Sequence, residues 1–148
     1  MTQLGEQVYS GDILVTESFE FLEKDKSAIL VDVRTKAEWA FVGAPDLSSM
    51  KKEPIFIEWQ EYPSMRINPE FTSRLRETIG KLGGDSSTPL LFLCRSGARS
   101  KAAAIAMTAA GQQHCFNIAG GFEGGLDDRR RRGAVSGWKA NGLPWAQS

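Results

Sequence analysis

Residues 90–100 read Leu-Leu-Phe-Leu-Cys-Arg-Ser-Gly-Ala-Arg-Ser, an apolar run that ends in a cysteine and opens into a short loop carrying two arginines. The alanine-rich stretch 101–110 predicts a helix, with Gly111 as its stop. Cys94 therefore falls in a strand-to-helix turn. Amides at the helix start, the helix dipole and the charges of Arg95 and Arg99 all favour thiolate over thiol there, and the thiolate is the nucleophile. Successive amides in a loop that opens a helix can converge on an anion. Two guanidinium groups suit an oxyanion better than lysine would. The hydroxyls of Ser96 and Ser100 can donate to the sulfur, although Ser100 fits equally well as a first-turn helix cap.

The competing reading for Cys94 is a buried structural thiol, the commonest fate of a free cysteine; its turn position and flanking arginines favour the reactive one. Cys115 opens the last predicted strand, near residues 115–119, whereas Cys94 closes its own. If those strands run parallel, about five residues of rise separate the two thiols, on the order of 16 Å, and a disulfide needs Cα atoms within about 7 Å. Cys115 is therefore read as structural, and His114 beside it as too distant for a Cys-His pair. One histidine and two cysteines make neither a zinc site nor a disulfide framework, and no metal or other cofactor is expected.

The elements that must position this loop follow from the rest of the chain. Thr16 is placed to cap a helix running through Glu23, and residues 28–33 read as a continuous buried strand. Residues 43–53 look like loop, and 54–59 resume strand character. Asn68 and Pro69 form a cap and first-turn pair for a helix with apolar side Phe71, Leu75, Ile79 and Leu82, ending at Gly83 and Gly84. Strands alternating with helices predict an α/β fold, a parallel central sheet with helices on both faces and right-handed crossovers. Ligands of such sheets bind at the carboxyl ends of the strands. Cys94 lies at one such end, and Asp32 and Arg34 lie near another. These two are read first as an ion-paired network with Glu38 that shapes the loops, and second as supporting residues of a pocket.

The segment 120–148 has a different character, with Gly120, Gly121, Gly124 and Gly125, the consecutive Arg129, Arg130, Arg131 and Arg132, and the tryptophans Trp138 and Trp145. It begins where the last strand ends, on the edge that carries Cys94. The arginine run is a solvated face or a lure for anionic donors and acidic partners, and the tryptophans are expected to pin the segment down. Phe56 and Trp59 belong either to the pocket or to the core.

At 148 residues the chain is most simply one domain. Eighteen basic and eighteen acidic side chains balance, which gives no bias toward nucleic acid or an anionic membrane. The polar, acidic start lacks the pattern of a signal peptide and no run is long enough to span a bilayer, so a cytoplasmic protein is expected.

The motifs together resemble the rhodanese-like sulfurtransferases. The stretch 29–34 followed by Glu38 and Trp39 is similar to the first signature of that family, 94–100 to its active-site loop, and Gly120, Gly121 and Phe122 with 137–144 to its closing segment. Phe41-Val42-Gly43-Ala44-Pro45 replaces the usual His-Ile-Pro-Gly-Ala, a departure that marks an offshoot subgroup. The resemblance implies a rhodanese-like domain over 1–148 in which Cys94 accepts sulfane sulfur from a small anionic donor such as thiosulfate. The resulting persulfide passes sulfur to a thiol, to cyanide or to a protein partner. Arg95, Ser96, Gly97, Ala98, Arg99 and Ser100 would bind the donor. Four residues separate Cys94 from Arg99, a tighter loop than that of thiolate phosphatases and arsenate reductases, and by analogy it favours sulfur over phosphoryl chemistry. The rival from another class is a noncatalytic module that binds a partner through its basic tail.

Overall fold

The computed structural model of the chain describes residues 8–147, so the first seven residues of the polar start lie outside the described residues. Elements follow in the order β1 (Gly11–Leu14), α1 (Val15–Lys24), β2 (Ile29–Asp32), α2 (Lys36–Phe41), β3 (Ala44–Pro45) and β4 (Ile55–Phe56). After them come β5 (Gln60–Glu61), β6 (Arg66–Ile67), α3 (Phe71–Lys81), β7 (Leu90–Leu93), α4 (Ala98–Ala109), β8 (Cys115–Ala119), α5 (Gly137–Ala140) and β9 (Trp145–Ala146). Five strands form one all-parallel sheet in the order β1-β8-β7-β2-β4. This is the expected α/β architecture. All four residues of β7 are buried, as its uninterrupted apolar sequence requires of a strand covered on both faces.

The pleat of β7 divides its side chains between two cores. Leu90, Phe92 and Cys94 pack with Phe71, Leu75 and Ile79 of α3 and with Ala103, Ala104 and Met107 of α4. Leu91 and Leu93 pack with Val15 and Leu22 of α1, Trp138 of α5 and Phe122. From β2 the chain proceeds to its neighbour β4 on one side, and from β7 to β8 on the other. The carboxyl ends of β2 and β7 therefore flank a topological switch point, the crevice where α/β sheets bind ligands.

Several boundaries differ from the sequence reading for local reasons. Helix α1 starts at Val15, because the Leu14 amide donates to Glu17 Oε1 at 2.8 Å and a carboxylate replaces the hydroxyl cap expected of Thr16. Asn68 precedes α3 in a turn, its Oδ1 accepting from the Glu70 amide at 3.0 Å, and Leu82 is exposed just past the end of the helix. The 54–59 stretch is a two-residue edge strand that turns into the β5–β6 hairpin. The 43–53 loop contains β3, which pairs antiparallel with β9 and ties the tail back to the domain, and a single 3-10 turn. Trp138 is fully buried, while Trp145 is 40% exposed and packs edge-on against Phe122.

Asp32 and Arg34 form a fully buried pair just past β2. The Arg34 Nη2 donates to Asp32 Oδ2 at 2.7 Å and to the Gly43 carbonyl at 2.9 Å, and the guanidinium lies 4.2 Å from the Phe122 ring centre. The pair thus fastens the α2–β3 connection and the closing segment onto the end of the sheet. Glu38 is not part of it, contrary to the network expected from sequence, because its carboxylate is bonded elsewhere. Removing one member of a fully buried pair strands the other charge in the core, so Arg34→Met should lower stability by about 3–5 kcal/mol in urea unfolding. A loss under about 1 kcal/mol would put this pair on a level with exposed ones.

Candidate active site

Cys94 is the first residue past β7 and is 1% exposed. The chain turns there because Gly97 caps α4 with φ 126°, a conformation that side-chain-bearing residues rarely adopt. The turn aims the Gly97 amide at Cys94 Sγ, 3.1 Å away. Helix α4 starts at Ala98, three residues earlier than its alanine run suggests, which places Ser100 in the first turn with its Oγ 3.1 Å from the same sulfur. The open choice for Ser100 is thereby resolved: Gly97 caps the helix, and the hydroxyl of Ser100 faces the thiol.

The loop is held from behind by the closing segment. The Phe122 amide donates to the Cys94 carbonyl at 2.8 Å, and the amides of Glu123 and Gly124 donate to the Arg95 carbonyl at 2.9 and 3.1 Å. Gly121, at φ 63°, lies so close that a Cβ there would sit 2.6 Å from the Cys94 and Arg95 carbonyl oxygens. The missing side chain at Gly121 is what allows this backbone-on-backbone contact.

In front of the sulfur is a pocket of about 310 Å³ lined by Glu38, Gln60, Met65, Cys94, Arg95, Ser96, Ala98 and Arg99. Of the residues expected at the site, Cys94, Arg95, Ser96, Ala98 and Arg99 line it, while Gly97 and Ser100 contact the sulfur from below. Asp32 and Arg34 do not line it. Gln60 and Met65, from the β5–β6 hairpin, were not foreseen, since no motif marks them. Trp59 packs edge-on against Phe71 at the margin of the core and Phe56 packs against Trp39; neither is among the residues lining the pocket.

The two arginines of the loop have different electrostatic roles. Arg99 Nη1 and Nη2 donate to the two carboxylate oxygens of Glu38 at 2.7 and 2.9 Å, a bidentate pair with both side chains more than four-fifths buried. Glu38 is delivered by a capping box, in which its carboxylate accepts from the Thr35 amide and its own amide donates to Thr35 Oγ1. Burial pushes the Glu38 carboxyl up, but the Arg99 hydrogen bonds and charge, with Thr35, outweigh it and leave the group below its ordinary value. Burial likewise opposes the charge on Arg99, and Glu38 more than restores it. Arg95 is exposed and, among the described residues, makes no ion pair.

The second thiol is remote. Cys115 is paired with Leu90, so Cys94 lies four residues further along the sheet, about 13 Å by strand rise rather than the five residues counted from sequence. Burial pushes the Cys115 thiol up, as befits a core residue. His114 is exposed at that same far end. Among the described residues no His, Cys, Asp or Glu cluster is arranged to hold a metal ion, and no helix is long and apolar enough to cross a membrane.

The pH dependence of the Glu38–Arg99 pair has a definite sign. A carboxyl whose folded value lies below the ordinary 4.5 adds stability that is fully present above that pH and is lost as the pH falls through the folded value. Wild type should therefore exceed Glu38→Gln in urea midpoint at neutral pH, and the gap should close in acid below 4.5. A gap independent of pH would show that the carboxylate charge is not what stabilises the pair.

Comparison with known proteins fits this geometry. The model of the STR4 middle domain matches residues 11–148. An uncharacterized protein of Rickettsia conorii, RC0915, is 39% identical over 134 residues, covering 90% of this chain and 95% of that protein, and RP600 of Rickettsia prowazekii is 37% identical over the same span. The crystal structure of Rv0390 from M. tuberculosis superposes with a TM-score of 0.85 at 44% identity, covering 95% of this chain and all of that one. The polysulfide-sulfur transferase of Wolinella succinogenes superposes with a TM-score of 0.56 at 17% identity, over 93% of this chain and 78% of that one, a likeness of fold. The fold is the rhodanese-like one that the motifs implied, and the chain belongs to the family of the STR4 middle domain.

Proposed function

We propose that the protein is a sulfurtransferase that carries sulfane sulfur on Cys94. The observation that carries this reading is a nearly buried sulfur at the switch point of the sheet, within 3.1 Å of the Gly97 amide and the Ser100 hydroxyl, at the base of a small pocket with a free guanidinium at its mouth. The pocket is near the lower limit of ligand sites, about 300 Å³, which suits a donor of a few atoms. In the first half-reaction the Cys94 thiolate attacks the outer sulfur of thiosulfate. The bond between that sulfur and the sulfonate breaks, and sulfite leaves with the electron pair. In the second, a thiolate or cyanide attacks the terminal sulfur of the persulfide and the Cys94 thiolate is released. The Gly97 amide remains within reach of the Cys94 sulfur in both states, and Ser100 can donate to it once charged.

Arg95 is the residue suited to receive the sulfonate, because the fork of Arg99 is engaged by Glu38. Arg99 then acts by supporting the loop and lending charge near the sulfur. The segment that carries the exposed Arg129, Arg130 and Arg131 is tied to the loop: Arg132 donates to the Gly124 carbonyl, and the Gly124 amide is bonded to the Arg95 carbonyl. A protein donor or acceptor with an acidic surface would meet them as it approaches Cys94.

Thiocyanate production from thiosulfate and cyanide should be abolished in Cys94→Ser and retained in Cys115→Ser. Turnover surviving in Cys94→Ser would rule out the persulfide route. Loss of one charge-assisted contact predicts that Arg95→Ala raises KM for thiosulfate about tenfold, with a smaller effect on kcat. An unchanged KM would remove Arg95 from donor binding.

A further inference from the structure

The Ser100 hydroxyl has one hydrogen and three acceptors within reach: Cys94 Sγ at 3.1 Å, the Gly97 carbonyl at 3.2 Å and Asn117 Oδ1 at 2.6 Å. The shortest contact is to Asn117, on the neighbouring strand β8, and the orientation of that amide is fixed from its other end. Asn117 Nδ2 donates to Asp12 Oδ1 at 3.0 Å, and the same oxygen accepts the Tyr9 hydroxyl at 2.7 Å. A carboxylate only accepts, so the Asn117 amino group must face Asp12 and its carbonyl oxygen must face Ser100. That oxygen also only accepts, so the hydroxyl hydrogen is drawn to Asn117 and Ser100 turns a lone pair toward the sulfur. A lone pair complements an S–H group and opposes a sulfur anion.

We propose that Asp12 and Asn117 are positioning residues that hold Ser100 as a hydrogen-bond acceptor toward Cys94 Sγ, so that a hydrogen bond from Ser100 to an anionic sulfur needs its hydroxyl to rotate from Asn117 onto Sγ. Chemistry at a buried sulfur is thereby biased from an exposed carboxylate on the edge strand β1. The hydrogen bond from Asn117, then that from Tyr9, holds the Asp12 carboxyl below the ordinary carboxylate range, so it is an acceptor at neutral pH. The other charged groups near these residues are Arg95 and Arg99 beside Cys94, Glu38 from α2 paired with Arg99, Asp32 at the end of β2, and Lys101 of α4 near Tyr9 and Asp12. None of them fixes the rotation of the Ser100 hydroxyl. The inference deepens the sulfur-transfer reading, but its test needs only the thiol.

The test is the pH profile of Cys94 alkylation by iodoacetamide in a Cys115→Ser background. In Asp12→Ala the Asn117 amide is free to turn its amino group toward Ser100, which releases the hydroxyl to the sulfur. Alkylation at mildly acid pH should then rise about three- to tenfold, the worth of one net hydrogen bond. Asp12→Val serves if the alanine variant misfolds. Asp12→Asn removes the charge but keeps an accepting oxygen, and should alkylate like its parent. In a Ser100→Ala background, Asp12→Ala should have no further effect. An unchanged rate in Asp12→Ala, an equal rise in Asp12→Asn, or a rise that persists without Ser100 would each overturn the proposal. Failure of thiocyanate production in the parent would count against the sulfurtransferase reading and leave these rates unaffected.

Discussion

The carbonyls of Cys94 and Arg95 accept hydrogen bonds from three consecutive amides, those of Phe122, Glu123 and Gly124, and the rest of the site depends on this contact. A loop that turns tightly enough to point the Gly97 amide at the sulfur turns its carbonyls outward, where they need partners. The closing segment supplies them, and it can approach closely enough because Gly121 has no Cβ to collide with those carbonyls. The segment is in turn held by Trp138 in the core, whose amide donates to the Gly121 carbonyl, and by the pairing of β9 with β3. Residues 120–147, which have little regular structure, are thus the back wall of the cradle.

Charge is arranged with the same economy. Asp32 and Arg34 neutralise each other in the core and fix the loops; Glu38 and Arg99 neutralise each other at the wall of the pocket. What remains at the mouth is the Arg95 guanidinium above a recessed sulfur. In the proposed function that guanidinium would attract a small anion, while the depth of the sulfur and the modest volume of the pocket would limit what reaches it. Both features suit transfer of a single sulfur atom, which asks the protein to stabilise one anionic centre that moves little between donor and acceptor.

Features that depend on near neighbours in the chain could be read from the sequence, and features that depend on distant pairing could not. The buried strand Leu90–Leu93, the turn at Cys94 and the parallel sheet follow from hydrophobic runs and from alternation along the chain. The separation of Cys94 and Cys115 was right in kind and wrong by one residue, because strand register is set by pairing. The Glu38–Arg99 bond joins residues 61 positions apart, and the Asn117–Asp12 bond residues 105 apart; nothing local marks either. Proximity in sequence groups Glu38 with Asp32 and Arg34, yet the capping box that starts α2 turns it toward α4. Gln60 and Met65 reach the pocket only because the edge strand β4 is short and the chain folds back in a hairpin.

In the proposed function this cradle holds a sulfur atom on Cys94. Peptide-level mass spectrometry after incubation with thiosulfate, under non-reducing conditions, measures that directly. The expected result is a gain of one sulfur on the peptide containing Cys94, none on the peptide containing Cys115, and discharge of the adduct by cyanide. An unmodified Cys94 peptide after exposure to thiosulfate, polysulfide and a low-molecular persulfide alike would contradict it.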